Sequence, residues 1–235
     1  MAEKYFKKIP GVLGGLGIDV TAEFLARVID ATGAEKEQEN IPMIINHNPA
    51  VPDRTSAILY DTEDPLPSLK SSLEVLEKAG AGFIAIPCNT AHYYYDALQE
   101  HVSVPIIHMV REVALRILTL DKPAGCTGLM ATTGTVRTGL YQKQFKSKGI
   151  DILLPDGDDQ DRIMKNIMVI KSRRNTSAIR QEFIRDAKKL ADRGARAIVV
   201  GCTDISLAIK DGDVHVPIID SLSVLAEKTV QMARG

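Results

Sequence analysis

The 235-residue chain is 45% hydrophobic and 25% charged, with 17 Gly, 11 Pro and 3 Cys, a composition that excludes disordered, collagen-like and small disulfide-scaffold proteins. With 29 Lys+Arg against 30 Asp+Glu, the formal charge of −1 offers no global field to nucleic acid or to an anionic membrane surface. Trp is absent and aromatic residues are 5% of the chain, which implies an aliphatic core with little material for base stacking, so a small polar ligand is expected instead of nucleic acid.

In chain order, Lys7 and Lys8 ahead of the apolar stretch from Ile9 to Ile18 imitate a signal peptide. Gly11, Gly14, Gly15 and Gly17 interrupt that stretch and no clean cleavage site follows, so it reads as a strand and then a loop. Short apolar runs at 9–13, 41–45, 82–86, 105–107, 127–130, 150–154, 197–200 and 217–219 read as strands. Amphipathic stretches between most of them, such as 68–79 and 181–193, read as helices, the alternation of a parallel α/β sheet. The exception runs from about 158 to 193, where two successive helices are expected, broken near Asn175-Thr176-Ser177 with Thr176 or Ser177 capping the second. No apolar run approaches the roughly 18 residues of a spanning helix, so a soluble protein with no membrane partner is expected.

An internal echo organises the chain. AGFIAIPCNTAHYYYDALQEHVSVPIIHMV, starting at Ala81, and ARAIVVGCTDISLAIKDGDVHVPIIDSL, starting at Ala195, each read as strand, Cys-(Asn)-Thr, helix and Val-Pro-Ile-Ile. Pro105 follows Cys88 by 17 residues and Pro217 follows Cys202 by 15, so small loop differences separate the two copies. A weaker echo joins GVLGGLGIDVTAEFLARVI to GLMATTGTVRTGLYQKQF, each a strand, a Gly-bearing turn and a helix. The expectation is an α/β protein of two pseudo-symmetric αβα lobes with mainly parallel sheets. One lobe spans 1–115 plus 210–235 and carries Cys88; the other spans 116–209 and carries Cys202.

Cys88, Cys126 and Cys202 are odd in number, with no CxxC and no metal-type spacing, which fits a reducing cytoplasm and argues for no metal. In open parallel sheets ligands bind beyond the carboxyl ends of strands, and Cys88 and Cys202 each follow a strand at the expected start of a helix. Such a start supplies positive potential and unpaired N–H groups that favour a thiolate. Either Cys alone also reads as a small buried hydrophobe, but the duplication favours chemistry. Two thiols related by pseudo-symmetry suit a nearly symmetric reaction, removal of a proton from one face of a carbon and delivery to the other.

The motifs GVLGGLG, HNPAVPDRT, PCNTAH, ATTGT and GCTDI, spread over nearly the whole chain, resemble those of the aspartate/glutamate racemase family, which are cofactor-independent amino-acid racemases. The resemblance implies an active site in the inter-lobe cleft, with Cys88 acting on one face of the substrate Cα and Cys202 on the other. It also implies a homodimer. Leu16-Gly17-Ile18 stands where the family usually has Met-Gly-Pro.

Racemisation requires stabilising a developing enolate, for which backbone N–H groups and hydroxyls are natural donors. Asn89, Thr90 and Thr203 directly follow the thiols, and Thr132, Thr133, Gly134 and Thr135 form a turn that either holds the substrate α-carboxylate at a helix N-terminus or simply caps it. Arg54 offers a rigid fork for a carboxylate, with Thr55 beside it as a further candidate substrate contact, and the resemblance places Arg54 at the substrate side-chain acid; its alternative is a surface ion pair with Asp53 or a nearby acid. Lys165 matches a second charged contact of the family, or is solvated helix. Asn48 either contacts the amino acid or builds its own turn.

His92 and Asp204 either tune the thiols, receive the substrate ammonium or act as caps. An anionic Asp204 alone would disfavour a Cys202 thiolate. Cys126 is expected to be buried and outside the site. Lys171, Arg173 and Arg174 read as a solvated basic cluster, and the consecutive Tyr93, Tyr94 and Tyr95 cannot share one helix face, which leaves at least one at the surface. No lysine stands in a recognisable Schiff-base context and no dinucleotide loop is present, so no organic cofactor is expected. The alternatives are another amino-acid or hydantoin racemase of the same fold, or a non-catalytic ligand-binding protein.

Overall fold

The computed structural model describes residues 6–120, 125–173 and 177–235. The first half of the chain runs β1 (Pro10–Gly14), α1 (Ile18–Thr32), β2 (Ile44–His47), α2 (Arg54–Tyr60), α3 (Leu66–Lys78), β3 (Phe83–Ala85), α4 (Tyr95–Gln99) and α5 (Met109–Leu118). The second runs β4 (Cys126–Ala131), α6 (Thr133–Arg137), α7 (Leu140–Lys146), β5 (Asp151–Leu153), α8 (Gly157–Lys171), α9 (Ser177–Asp192), β6 (Ala197–Gly201), β7 (Ile218–Asp220) and α10 (Ser221–Arg234). Short 3₁₀ turns occupy Glu37–Glu39, Thr90–Tyr94 and Ile205–Leu207. Among the described residues no helix is long and apolar enough to cross a membrane.

Two compact units divide the chain: Met1–Met109 with Leu222–Gly235, and Val110–Ser221. The first holds a parallel sheet in the order β2-β1-β3. The run at 105–107 adds only an isolated parallel bridge between Ile106 and Ile84. Ile84 N–H donates to the Pro105 carbonyl and Ile107 N–H to the Ile84 carbonyl, and α5 begins at Met109. The expected strand at 41–45 starts later, at Ile44, and continues to His47. In α3, Leu69, Leu73 and Leu76 recur at helical spacing and are buried against Leu13, Ile84 and Ile86. Each such side chain contributes about 1.5–3 kcal/mol by leaving water.

In the second unit the parallel sheet has the order β5-β4-β6-β7. Numbered within its own unit this is 2-1-3-4, and the first unit repeats it with the bridge at Ile106 as the fourth position. The echo in the sequence is therefore a duplicated topology. The expected lobe limits move: the first boundary lies after Met109, not after 115, and the second lies after Ser221, not after 209. The second shift has a direct cause, since Ile218, Ile219 and Asp220 pair with Ile198, Val199 and Val200 of β6. The two successive helices are present as α8 and α9, which bury Ile163, Ile167, Ile170, Phe183 and Leu190 against β4 and β6. Thr176 and Arg174 lie outside the described residues, so the proposed Thr176 cap and one member of the basic cluster cannot be placed.

Candidate active site

Cys88 stands just past the carboxyl end of β3, after Ile86 and Pro87, and is buried. Its N–H donates to the Ile86 carbonyl at 2.8 Å, a three-residue turn around Pro87 whose fixed φ suits it. Asn89 and Thr90 are buried beside it, and the 3₁₀ turn of five residues follows. His92 in that turn is also buried: Nδ1 lies 2.9 Å from the Cys88 carbonyl oxygen, and Nε2 accepts the N–H of Met109 at 3.2 Å. Burial holds the imidazole below its ordinary pKa of 6.5, against the opposing pull of the Cys88 and Ile107 carbonyls, so the ring is neutral. His92 meets Cys88 through the backbone carbonyl.

Cys202 follows β6 without a gap and is buried with Thr203 and Asp204. Its S–H donates to Asp204 Oδ2 at 3.6 Å, and the same oxygen is 2.9 Å from Lys171 Nζ. Cys202 thus neighbours an ion pair and not a lone carboxylate. Lys171, read as part of a solvated basic cluster, keeps only 22% of its side chain exposed. Downstream, Ser206 donates to Asp220 at 2.7 Å. At Gly201 an added Cβ would fall 2.7 Å from Leu129 Cδ1 and 3.1 Å from buried Tyr141 Cε2, so those side chains would have to shift. Both cysteines are followed by 3₁₀ turns and not by the α-helices expected. The turn after Cys202 spans three residues, so local N–H groups, not a helix macrodipole, act there.

Arg54 opens α2 and is buried; it makes no ion pair with Asp53, whose carboxylate instead caps the helix by accepting Ser56 N–H at 2.7 Å. Nη1 donates to the carbonyls of Val51 (3.3 Å) and Pro52 (3.1 Å), and Nη2 to that of Leu16 (2.9 Å). Nε–H is buried without a partner. Of the five guanidinium hydrogens, Nε–H and one on Nη2 remain, and these two nitrogens form the side of the fork that grips a carboxylate in a bidentate pair. Thr55 is buried next to it. Arg54 also ties together the loops after β1 and β2, which approach closely enough that a Cβ on Gly15 (φ +87°) would lie 2.4 Å from the Asn48 carbonyl carbon. Asn48 serves that turn: its amide donates to Ser72 at 3.0 Å and its oxygen accepts Ala50 N–H at 3.2 Å. Ile18, in place of the family's proline, is the first residue of α1 and is 53% exposed, a position where proline is at home because that N–H has no intrahelical partner.

The Thr132–Thr135 turn caps α6: Thr132 Oγ1 accepts the N–H of Thr135 at 3.1 Å and donates to its hydroxyl at 3.0 Å. Gln160, which sequence reasoning missed, braces this turn by donating through Nε2 to the Ala131 carbonyl (3.0 Å) and to Thr133 Oγ1 (3.3 Å). Lys165 is exposed on α8. Lys171 is the lysine of that helix that reaches the Cys202 loop, because it continues the stripe of Ile163 and Ile167 at four-residue spacing, whereas Lys165 falls on the opposite face. That periodicity was the available signal. Cys126 is only partly buried, since it opens β4 at the sheet's amino end. Of the consecutive tyrosines, Tyr93 is the exposed one. Among the described residues no cluster of three or more His, Cys, Asp or Glu side chains is arranged to hold a metal.

The profile of the Asp/Glu/hydantoin racemase family matches residues 13–229. The chain is 31% identical over 228 residues to the broad specificity amino-acid racemase RacX of Bacillus subtilis strain 168, covering 94% of this chain and 96% of that protein. Among solved structures it is similar to the Picrophilus torridus aspartate racemase, with a TM-score of 0.85 and 26% identity over 96% of this chain and 94% of that one. An aspartate racemase homologue from Pyrococcus horikoshii OT3 gives a TM-score of 0.79 at 25% identity, over 97% of this chain and 100% of the other. A two-unit α/β sequence with a cysteine at the carboxyl end of the third strand of each sheet, matched over most of its length by that profile, belongs to the Asp/Glu/hydantoin racemase family and is an isomerase, a racemase.

Proposed function

We propose that the protein racemises an acidic amino acid, aspartate before glutamate, by two-base proton transfer at Cα without pyridoxal phosphate. The observation that carries the reading is the repeated placement of one buried, unbridged cysteine at the same point of a duplicated sheet, Cys88 after β3 and Cys202 after β6. One thiolate takes the α-proton, and the other thiol returns a proton to the opposite face; the roles exchange with substrate hand. The N–H groups and hydroxyls at Asn89, Thr90 and Thr203, with the turn at Thr132, Thr133, Gly134 and Thr135, are the candidates to hold the α-carboxylate as enolate charge develops, where a single well-placed donor is worth about 3–4 kcal/mol. Arg54 supports an acidic side chain: among the described residues its guanidinium has carbonyl partners but no carboxylate. The similarity to an aspartate racemase points the same way.

A second reading, a wider substrate range, is favoured by the relative named a broad specificity amino-acid racemase. The deciding experiment incubates the protein with L-aspartate in deuterated water, without added cofactor, and follows optical rotation and α-deuterium. Cys88→Ala and Cys202→Ala are each expected to abolish conversion between enantiomers, and Cys126→Ala to leave it intact. Full racemisation by either of the first two overturns the two-base scheme. A panel of neutral and basic amino acids in the same assay separates the two substrate readings. Sedimentation of the same sample tests the homodimer implied by the family.

A further inference from the structure

We propose that His92 is the positioning residue of Cys88: its neutral imidazole ties the Cys88 carbonyl to the first N–H of α5 and thereby fixes where the thiol is held. The inference deepens the proposed function and rests on reading Cys88 as a proton-transfer group.

The hydrogen bonds dictate one tautomer. The group facing Nδ1 at 2.9 Å is a carbonyl oxygen, which can only accept, so Nδ1 carries the proton. Nε2 then presents its lone pair to Met109 N–H at 3.2 Å. That N–H belongs to the first turn of α5 and has no intrahelical partner, so the imidazole supplies the acceptor that a side-chain cap would. The Ile107 carbonyl, 3.2 Å from Nε2, would compete for a proton there, but burial keeps the ring neutral. Tyr95 stacks on the imidazole with centroids 6.3 Å apart, and His108 closes another side at 5.6 Å, which restricts ring rotation.

The imidazole adds a tertiary support to the local hydrogen bonds of the Cys88 turn. Locally the Cys88 N–H bonds the Ile86 carbonyl around Pro87 and the His92 N–H bonds the Asn89 carbonyl, while Asn89 does not cap the following 3₁₀ turn with its side chain. A thiol that must meet Cα within a few tenths of an ångström gains from a support that acts on its own carbonyl. Because that support reaches Cys88 and not Cys202, its loss should be felt on one face of the substrate.

The test measures α-deuterium exchange of each aspartate enantiomer separately, by initial rates in deuterated water, in wild type, Cys88→Ala, Cys202→Ala, His92→Phe, His92→Asn and His92→Gln. His92→Phe removes both hydrogen bonds; His92→Asn keeps a donor near the Nδ1 position. The expected result is that His92→Phe slows exchange at least tenfold for the enantiomer whose exchange Cys88→Ala abolishes, and leaves the other enantiomer within twofold. His92→Asn should recover much of that loss and His92→Gln less. Equal slowing of both enantiomers, or no slowing, overturns the proposal. As a readout that needs no turnover, alkylation of each cysteine by iodoacetamide is followed by mass spectrometry. His92→Phe should change the rate at Cys88 and not at Cys202, and unchanged rates at both refute the brace. If wild type exchanges no amino acid, the functional reading fails while the alkylation result still decides the role of His92. Should His92→Phe fail to fold, the Asn and Gln variants carry the same comparison.

Discussion

The two units build the same sheet, with its strands in the same spatial order and a cysteine at the carboxyl end of the third, yet they support that cysteine differently. In the first, the turn is held by backbone hydrogen bonds and a neutral histidine. In the second, a lysine–aspartate pair stands against the thiol. Topology fixes where the sulfur sits, whereas its electrostatic surroundings come from whichever side chains the neighbouring helices deliver. A charged partner responds to salt, pH and substitution more strongly than a neutral one, so the two cysteines should be separable by experiment even though their scaffolds match.

Backbone geometry is where the difference should be largest. Gly15→Ala places a Cβ 2.4 Å from fixed main chain at positive φ and is expected to cost about 3 kcal/mol or more. Gly201→Ala meets the movable ends of Leu129 and Tyr141 side chains and should cost about 2 kcal/mol. Urea denaturation of both variants checks the order; a reversed order would show that the second unit is the more rigid. Next, Lys171→Met leaves Asp204 unpaired beside Cys202 and should lower turnover about 100-fold, while Lys165→Ala changes it less than about twofold. The two kcat values, with Tm as control for folding, decide whether the ion pair matters.

The smallest effect concerns acid stability. Burial lowers the folded-state pKa of His92 below the 6.5 it has when unfolded. Its contribution to stability is complete above that unfolded value and declines as pH falls through it toward the folded pKa, with a slope of at most about 1.4 kcal/mol per pH unit. Urea midpoints measured from pH 7 down to pH 5 should fall less steeply in His92→Asn than in wild type.

Much of this architecture was legible without coordinates. The strand runs at 82–86 and 197–200 are continuous and apolar because their strand residues are buried on both faces, and each ends two residues before a cysteine. The α8–α9 pair was readable from its length and polar break. Equivalent residues were harder to tell apart. Two lysines share α8, and only the phase relative to Ile163 and Ile167 separates Lys171 from Lys165. Arg54 stood out in the sequence as a candidate to bind a carboxylate, but nothing local announced that it would be buried and would bond to Leu16, far away in sequence. The strand expected at 105–107 is a single bridge at Ile106, although the equivalent run before α10 forms a three-residue ladder.

The sequence by itself determined the alternation of strand and helix, the duplication and the two cysteines, since these follow from local periodicity and from repetition along the chain. The tertiary structure decided that His92 acts through a carbonyl, that Lys171 neutralises Asp204 and that Gln160 braces a distant turn. Hydrogen bonds and ion pairs depend on distances between segments remote in sequence, and those distances exist only once the chain has packed.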